Sequence, residues 1–344
     1  MTDKRISYID MAKGIGIILV VLGHSIFPSE NLTTWIYSFH MPLFFILSGM
    51  LLSHTHATEQ ALTSFIRKKA QAIFIPYFAF SVLTILFSAL LDTASFGSYL
   101  PFALLSTISF CGLSVLWFLP ALFFGEVLFL FIRKHTSLLG SALIVLCICL
   151  LTVFSANTYH YHYETDFDSY LSVLGAFLIA VFVRTGIATT FLAFGYYLYH
   201  FFFVKDIKRH ICLMLSVLFL ALNLFLAFKN ESVDLNNLIF HNYLLYFSAA
   251  LSGSLAVICF CAALPEIKPL GMIGKESFII MVTHMNCRFL GICYAAGNLA
   301  LSILPLIGKT GYFLITASCM ILLEAITICV IHRYAPFLIG EKRK

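Results

Sequence analysis

Long apolar runs, each close to the length of a bilayer crossing and separated by short polar connections, constrain this chain more than any other feature. A crossing helix needs about 20 apolar residues, and runs of that order recur from residue 12 to residue 331. Hydrophobic residues make up 61% of the 344, and charged residues only 11%. Globular domains carry about 25% charged residues, so a soluble core could not hide this much apolar surface. The chain reads as all-α, a polytopic integral membrane helical bundle forming a single domain over 1–344.

Spans are expected near 12–28, 35–53, 71–91, 115–132, 139–155, 170–204, 210–228, 243–264, 277–295 and 310–331, with a mixed segment at 92–114. Positive charge favours the cytoplasmic side. The basic groups Arg67-Lys68-Lys69, Arg133-Lys134-His135, Lys205-Asp206-Ile207-Lys208-Arg209, Lys268 to Lys275 and the EKRK tail then all lie inside. The acidic stretch 156–169 and the segment from Lys229 to Asn242 lie outside. This gives about ten transmembrane helices with both termini cytoplasmic, provided 170–204 crosses once. A split at Arg184 would turn the later basic loops outward. The net charge of +5 sits in these connections, which is a topology signal and no reason to expect nucleic acid. Asp10 and Lys13 interrupt the first apolar run and no small-residue cleavage site follows, so this run is expected to stay as span one. The ten cysteines lie mostly in apolar runs and read as small buried hydrophobes. No CxxC or His/Cys zinc spacing occurs, so no metal is expected.

Histidines inside such runs are costly and face a bundle interior or a watery cavity. His24 ends the first run, eleven residues after Lys13, or about 16 Å of helix. With Lys13 at the interface, His24 would lie near or just past mid-membrane. A neutral imidazole there can take a proton from an alcohol; the competing reading is a packing histidine. His40 opens the second run, followed by Pro42 and Ser48-Gly49, and reads equally as an interfacial histidine. His284 follows Lys275-Glu276 by nine residues, and Arg288 comes four later, on the same face of a continuous helix. An arginine this deep needs an acid or a wet cavity, with Glu126 and Glu324 as the candidate acids. Arg67, Lys68 and Lys69 could bind phosphates or simply anchor the chain. The aromatic loop Tyr159-His160-Tyr161-His162-Tyr163 reads as an interfacial belt or a sugar-stacking surface.

Taken together, the stretches YIDMAKGIGIILVVLGH, FHMPLFFILSG, LWFLPALFFGEVLF and IGKESFIIMVTH resemble acyltransferase family 3 of integral membrane O-acyltransferases. Of its branches, the fucose 4-O-acetylase-like one is the most similar. Family members carry a basic residue, ten intervening residues and a histidine, here Lys13 and His24. They also carry Arg-rich sequence before a Pro-Tyr, here Arg67 to Lys69 ahead of Pro76-Tyr77. Ala70 stands where some members have a second arginine, so the lysines are left to substitute.

The resemblance implies an enzyme of a bacterial inner membrane, multi-pass, with no bound cofactor. It would move an acyl group, usually acetyl, from cytoplasmic acetyl-CoA to a hydroxyl of a sugar. The acceptor would be a surface polysaccharide or its lipid-linked precursor. No fused extracytoplasmic domain is expected. Arg67, Lys68 and Lys69 would hold the CoA phosphates. His24 would act as base or as acyl carrier, with Asp10 and Lys13 as supporting catalytic groups. His40, Glu126, His284 and Arg288 would support the acceptor side or the thioester oxyanion. Membrane lipid is the only other partner implied. The alternatives are a transporter with an intramembrane His/Glu/Arg relay and an assembly subunit. A transporter has no need of a CoA-phosphate site, and an assembly subunit would leave its intramembrane polar groups without a task.

Overall fold

The computed structural model describes residues 6–25, 29–163, 169–201, 207–304, 306 and 308–340, with backbone alone for 159–163. Lys205, Asp206, the 341–344 tail and the side chains of Tyr159 to Tyr163 therefore lie outside the described residues. Fourteen α-helices follow in order: α1 Ser7–Gly23, α2 Glu30–Tyr37, α3 His40–His54, α4 Leu62–Leu91, α5 Phe96–Ile108, α6 Phe118–His135, α7 Leu138–Tyr163, α8 Tyr170–Phe201, α9 Arg209–Asn230, α10 Tyr243–Ala263, α11 Lys268–Lys275, α12 Ser277–Thr283, α13 Phe289–Ile303 and α14 Gly308–Tyr334. One isolated antiparallel bridge, Asp234 to Ile239, is the extent of β pairing among the described residues.

Eight helical stretches are long and apolar enough to cross a membrane, counting α2 with α3 as one. With 17 residues, α1 sits at the lower limit of spanning length. The segment 170–204 is settled by α8, a single unbroken helix of 32 residues, so it crosses once. The mixed segment 92–114 holds the short helix α5. The expected ninth span is not one helix. It breaks between α12 and α13, and Arg288 in the break has left-handed backbone (φ 57°).

Side chains bond backbone carbonyls at the two breaks near the histidines. At the α2–α3 junction the Ser38 hydroxyl donates to Trp35 O at 2.7 Å, and the His40 ring nitrogen to Ile36 O at 2.8 Å. At the end of α12 the His284 ring donates to Ile280 O at 2.8 Å, and the Asn286 amide to Val282 O at 3.0 Å. Ile280 O also accepts the His284 backbone N–H at 3.1 Å, and Trp35 O and Ile36 O accept the Ser38 and Phe39 N–H groups at 3.3 Å, so these side-chain bonds add to backbone ones at the helix ends. Pro42 falls in the first turn of α3, where a missing N–H costs nothing.

Helix α8 is central, and small residues let its neighbours approach closely. A Cβ added at Gly49 would lie 2.0 Å from Leu192 O, and one at Gly195 would lie 2.0 Å from Ile46 O. Each glycine of the α3–α8 crossing thus faces the other helix's backbone, the close approach that small residues permit in membranes. The crossing of α1 and α11 uses the same device, with Gly274 against Asp10 O and Gly14 against Leu270 O. Helices α7, α9 and α14 are the least covered. Their outward Leu, Phe and Ile side chains, such as Phe154, Phe225 and Ile321, suit a lipid boundary.

Candidate active site

Three histidines from separate parts of the chain meet at one end of the bundle. His24 is the C-cap of α1. Its ring centroid lies 5.5 Å from that of His284. The Tyr37 hydroxyl lies 3.3 Å from His24 Nδ1, and the Tyr37 ring is 4.9 Å from His40. A carbonyl can only accept, so His40 and His284 must each carry their proton on Nδ1, donated to the carbonyl four residues earlier. Their Nε2 atoms are left as acceptors. For His284 that nitrogen is buried and has no hydrogen-bond partner.

His24 differs because it borders two cavities. The larger, about 500 Å³, is lined by His24 together with Ser88, Asp92, Tyr99, Asn286, Arg288 and Tyr294, among others. The smaller, about 230 Å³, is lined by His24 with Tyr37, His40, Trp117, Asp234 and Asn236, among others. Small-molecule sites occupy about 300–1,000 Å³. The larger cavity meets that range and the smaller does not.

A buried arginine shapes the small cavity's wall. Arg184, 6% exposed, donates to Cys111 O at 2.8 Å and to both the backbone and side-chain oxygens of Asn236. Its guanidinium also lies 5.3 Å from the Trp117 ring centre, a cation–π arrangement. It thereby pins the loop 231–242 over the cavity. Within that loop Asp234 accepts from the backbone and side-chain amides of Asn237 at 3.0 and 2.7 Å. Arg184 entered the sequence reading only as a point where a span might split. A lone arginine in a 32-residue apolar helix was the available signal. Tyr37, Trp117, Asp234, Asn236 and Asn286 had no signal of their own beyond position in or near the quoted motifs.

Two expectations about Arg288 are corrected. The break after α12 removes it from the face of His284: the histidine is fully buried, while Arg288 is exposed and lines the large cavity. Neither candidate acid pairs with it. Glu126 takes Lys69 at 2.9 Å, and Glu324 accepts from the Thr283 hydroxyl at 2.8 Å. Arg288 lines the large cavity in place of an acid partner.

The basic end of α4 lies away from this site. Arg67 and Lys68 are exposed, without a partner among the described residues, whereas Lys69 is committed to the buried Glu126. Seventeen residues, about 26 Å of helix, separate Arg67 from the cavity residue Thr84. Asp10 and Lys13 lie within α1, which starts at Ser7, about 21 and 16 Å along its axis from His24. Neither is brought to the histidine; Asp10 is buried where α1 meets α11.

Residues 6–333 match the family model described as "Acyltransferase domain", that of acyltransferase family 3. The match covers nearly the whole chain, and the chain belongs to this family. It is a membrane acyltransferase. No curated protein and no solved structure matches it.

Proposed function

We propose that this protein moves an acetyl group from cytoplasmic acetyl-CoA to a sugar hydroxyl of a cell-envelope polysaccharide or its lipid-linked precursor. The setting is a bacterial inner membrane, with both termini cytoplasmic. The observation that carries this reading is the position of His24, which alone of the three histidines faces both cavities. His40 lines only the smaller one, and His284 lines neither. Family membership supports the acyl transfer, and the resemblance to the fucose 4-O-acetylase-like branch supports acetyl and a sugar.

In this reading the acceptor occupies the large cavity. With Nδ1–H donating to the Tyr37 oxygen, His24 Nε2 holds the lone pair that takes the hydroxyl proton. The sugar oxygen attacks the thioester carbonyl, the C–S bond breaks, and the proton passes from His24 to the departing thiolate. The alternative route forms acetyl-His24 first and transfers from it. Arg67 and Lys68 hold the CoA phosphates, and the pantetheine arm runs from them along α4 toward the site. Lys69, bonded to Glu126, is left out of that role in this reading.

The test uses purified protein, radiolabelled acetyl-CoA and extracted envelope glycans, with wild type beside His24→Ala. Label reaching glycan only in wild type supports the reading. Label held on wild-type protein without acceptor selects the acetyl-histidine route. Equal transfer by both proteins removes His24 from the chemistry.

A further inference from the structure

Arg288 and Asp92 both line the large cavity, and they do not pair with each other or with any described residue. Among the described residues they are the only two charged side chains in its lining, apart from the titratable His24. Opposite charges sharing a cavity and left uncommitted are each available to a ligand. Their chemistry differs. A guanidinium is a planar fork of donors that matches a carboxylate or phosphate in bidentate fashion. A carboxylate accepts, and so suits hydroxyls. The backbone at Arg288 adds a geometric point. The chain leaves α12 at His284, turns through left-handed backbone at Arg288, and re-enters helix at Phe289. That turn puts Arg288 on the cavity surface and keeps His284 in the interior. Asn286, in the same turn, is held by Val282 O and by the Thr84 hydroxyl at 3.2 Å. The wall carrying Arg288 is thus tied to α4.

We infer that the acceptor is an acidic sugar, a hydroxyl-rich ring bearing a carboxylate or phosphate, whose oxyanion is taken by Arg288 while Asp92 accepts from its hydroxyls. This rests on the reading of the large cavity as the acceptor site. Tyr99 and Tyr294 line the same space.

The experiment measures the unfolding midpoint of the full-length protein in neutral detergent. Methyl glucuronide, glucose 6-phosphate, methyl glucoside or phosphatidylglycerol is added in turn. Either acidic sugar should raise the wild-type midpoint well beyond the neutral glucoside. Arg288→Gln should erase the difference, and Asp92→Asn should weaken all three sugars alike. In label transfer from acetyl-CoA, the acidic-to-neutral ratio of kcat/KM should be at least about tenfold in wild type and near one in Arg288→Gln, the scale of a charge-assisted hydrogen bond. The two acidic sugars separate carboxylate from phosphate. Equal shifts for acidic and neutral sugars would overturn the inference. So would a preference that survives Arg288→Gln, or an Arg288-dependent response to the lipid alone. Absence of any transfer would count against the acyl-transfer reading, while the midpoints would still decide the charge preference.

Discussion

The two ends of α4 treat charge in opposite ways. At its basic end Lys69 is paired with a buried carboxylate, and two cations, Arg67 and Lys68, stay exposed. At its other end Thr84, Ser88 and the following Asp92 line a cavity with Arg288, and there neither charge is neutralised. The first arrangement is a structural ion pair beside a cationic surface. The second is a polar cavity whose charges are held open beside a histidine. One helix of about 45 Å therefore joins an exposed cationic end and a cavity whose two charges are not neutralised. The difference teaches that a residue's sign alone does not assign its surroundings: of the adjacent Lys68 and Lys69, only Lys69 pairs with Glu126.

The largest effect expected on this comparison comes from His24→Ala. Losing a general base costs about 10²–10⁴ in rate, and loss of an acyl carrier would cost more. Transfer should fall by about a thousandfold or beyond, while size-exclusion profile and unfolding midpoint stay near wild type. Full activity in this variant would dissolve the distinction between the two ends.

Next is Lys69→Met, which leaves Glu126, with a side chain 2% exposed, as an unpaired buried charge. Breaking one side of such a pair costs about 3–5 kcal/mol, read as a lowered midpoint in detergent. Lys69→Met combined with Glu126→Gln should recover most of the loss. If the single variant is as stable as wild type, the structural assignment of Lys69 is wrong.

A smaller effect is expected from Arg67→Gln with Lys68→Gln. The apparent KM for acetyl-CoA should rise about tenfold, the scale of one or two charge-assisted contacts, with kcat little changed. Donor kinetics identical to wild type would remove these two residues from the phosphate role. The smallest effect is that of Tyr37→Phe, which deletes the hydroxyl against His24 Nδ1. A neutral hydrogen bond contributes about 0.5–1.5 kcal/mol net, so kcat should drop about two- to tenfold with KM for acetyl-CoA unchanged.

Much of this was legible in the residues themselves. Apolar runs of bilayer length specify helices because no other open structure satisfies its backbone in lipid. Basic connections order those helices, and the Lys13–His24 spacing with RKKAQAIFIPY marks the family. His24 and His40 could be placed beside each other because a short connection joins their helices. What only the tertiary structure decided involves residues distant in sequence or breaks in a helix. His284 reaches His24 across 260 residues of chain, and Arg184 reaches Asn236 and Cys111 across two connections. Hydrophobic periodicity is blind to such meetings, since it reports which face is apolar and not which neighbour that face finds. The break that separates His284 from Arg288 is equally invisible to it. At that break side chains bond carbonyls of their own helix, inside a run whose apolar character continues on both sides. The partners of the charges followed the same rule: the candidate acids were weighed for Arg288, and packing gave Glu126 to Lys69 and left Arg288 on a cavity.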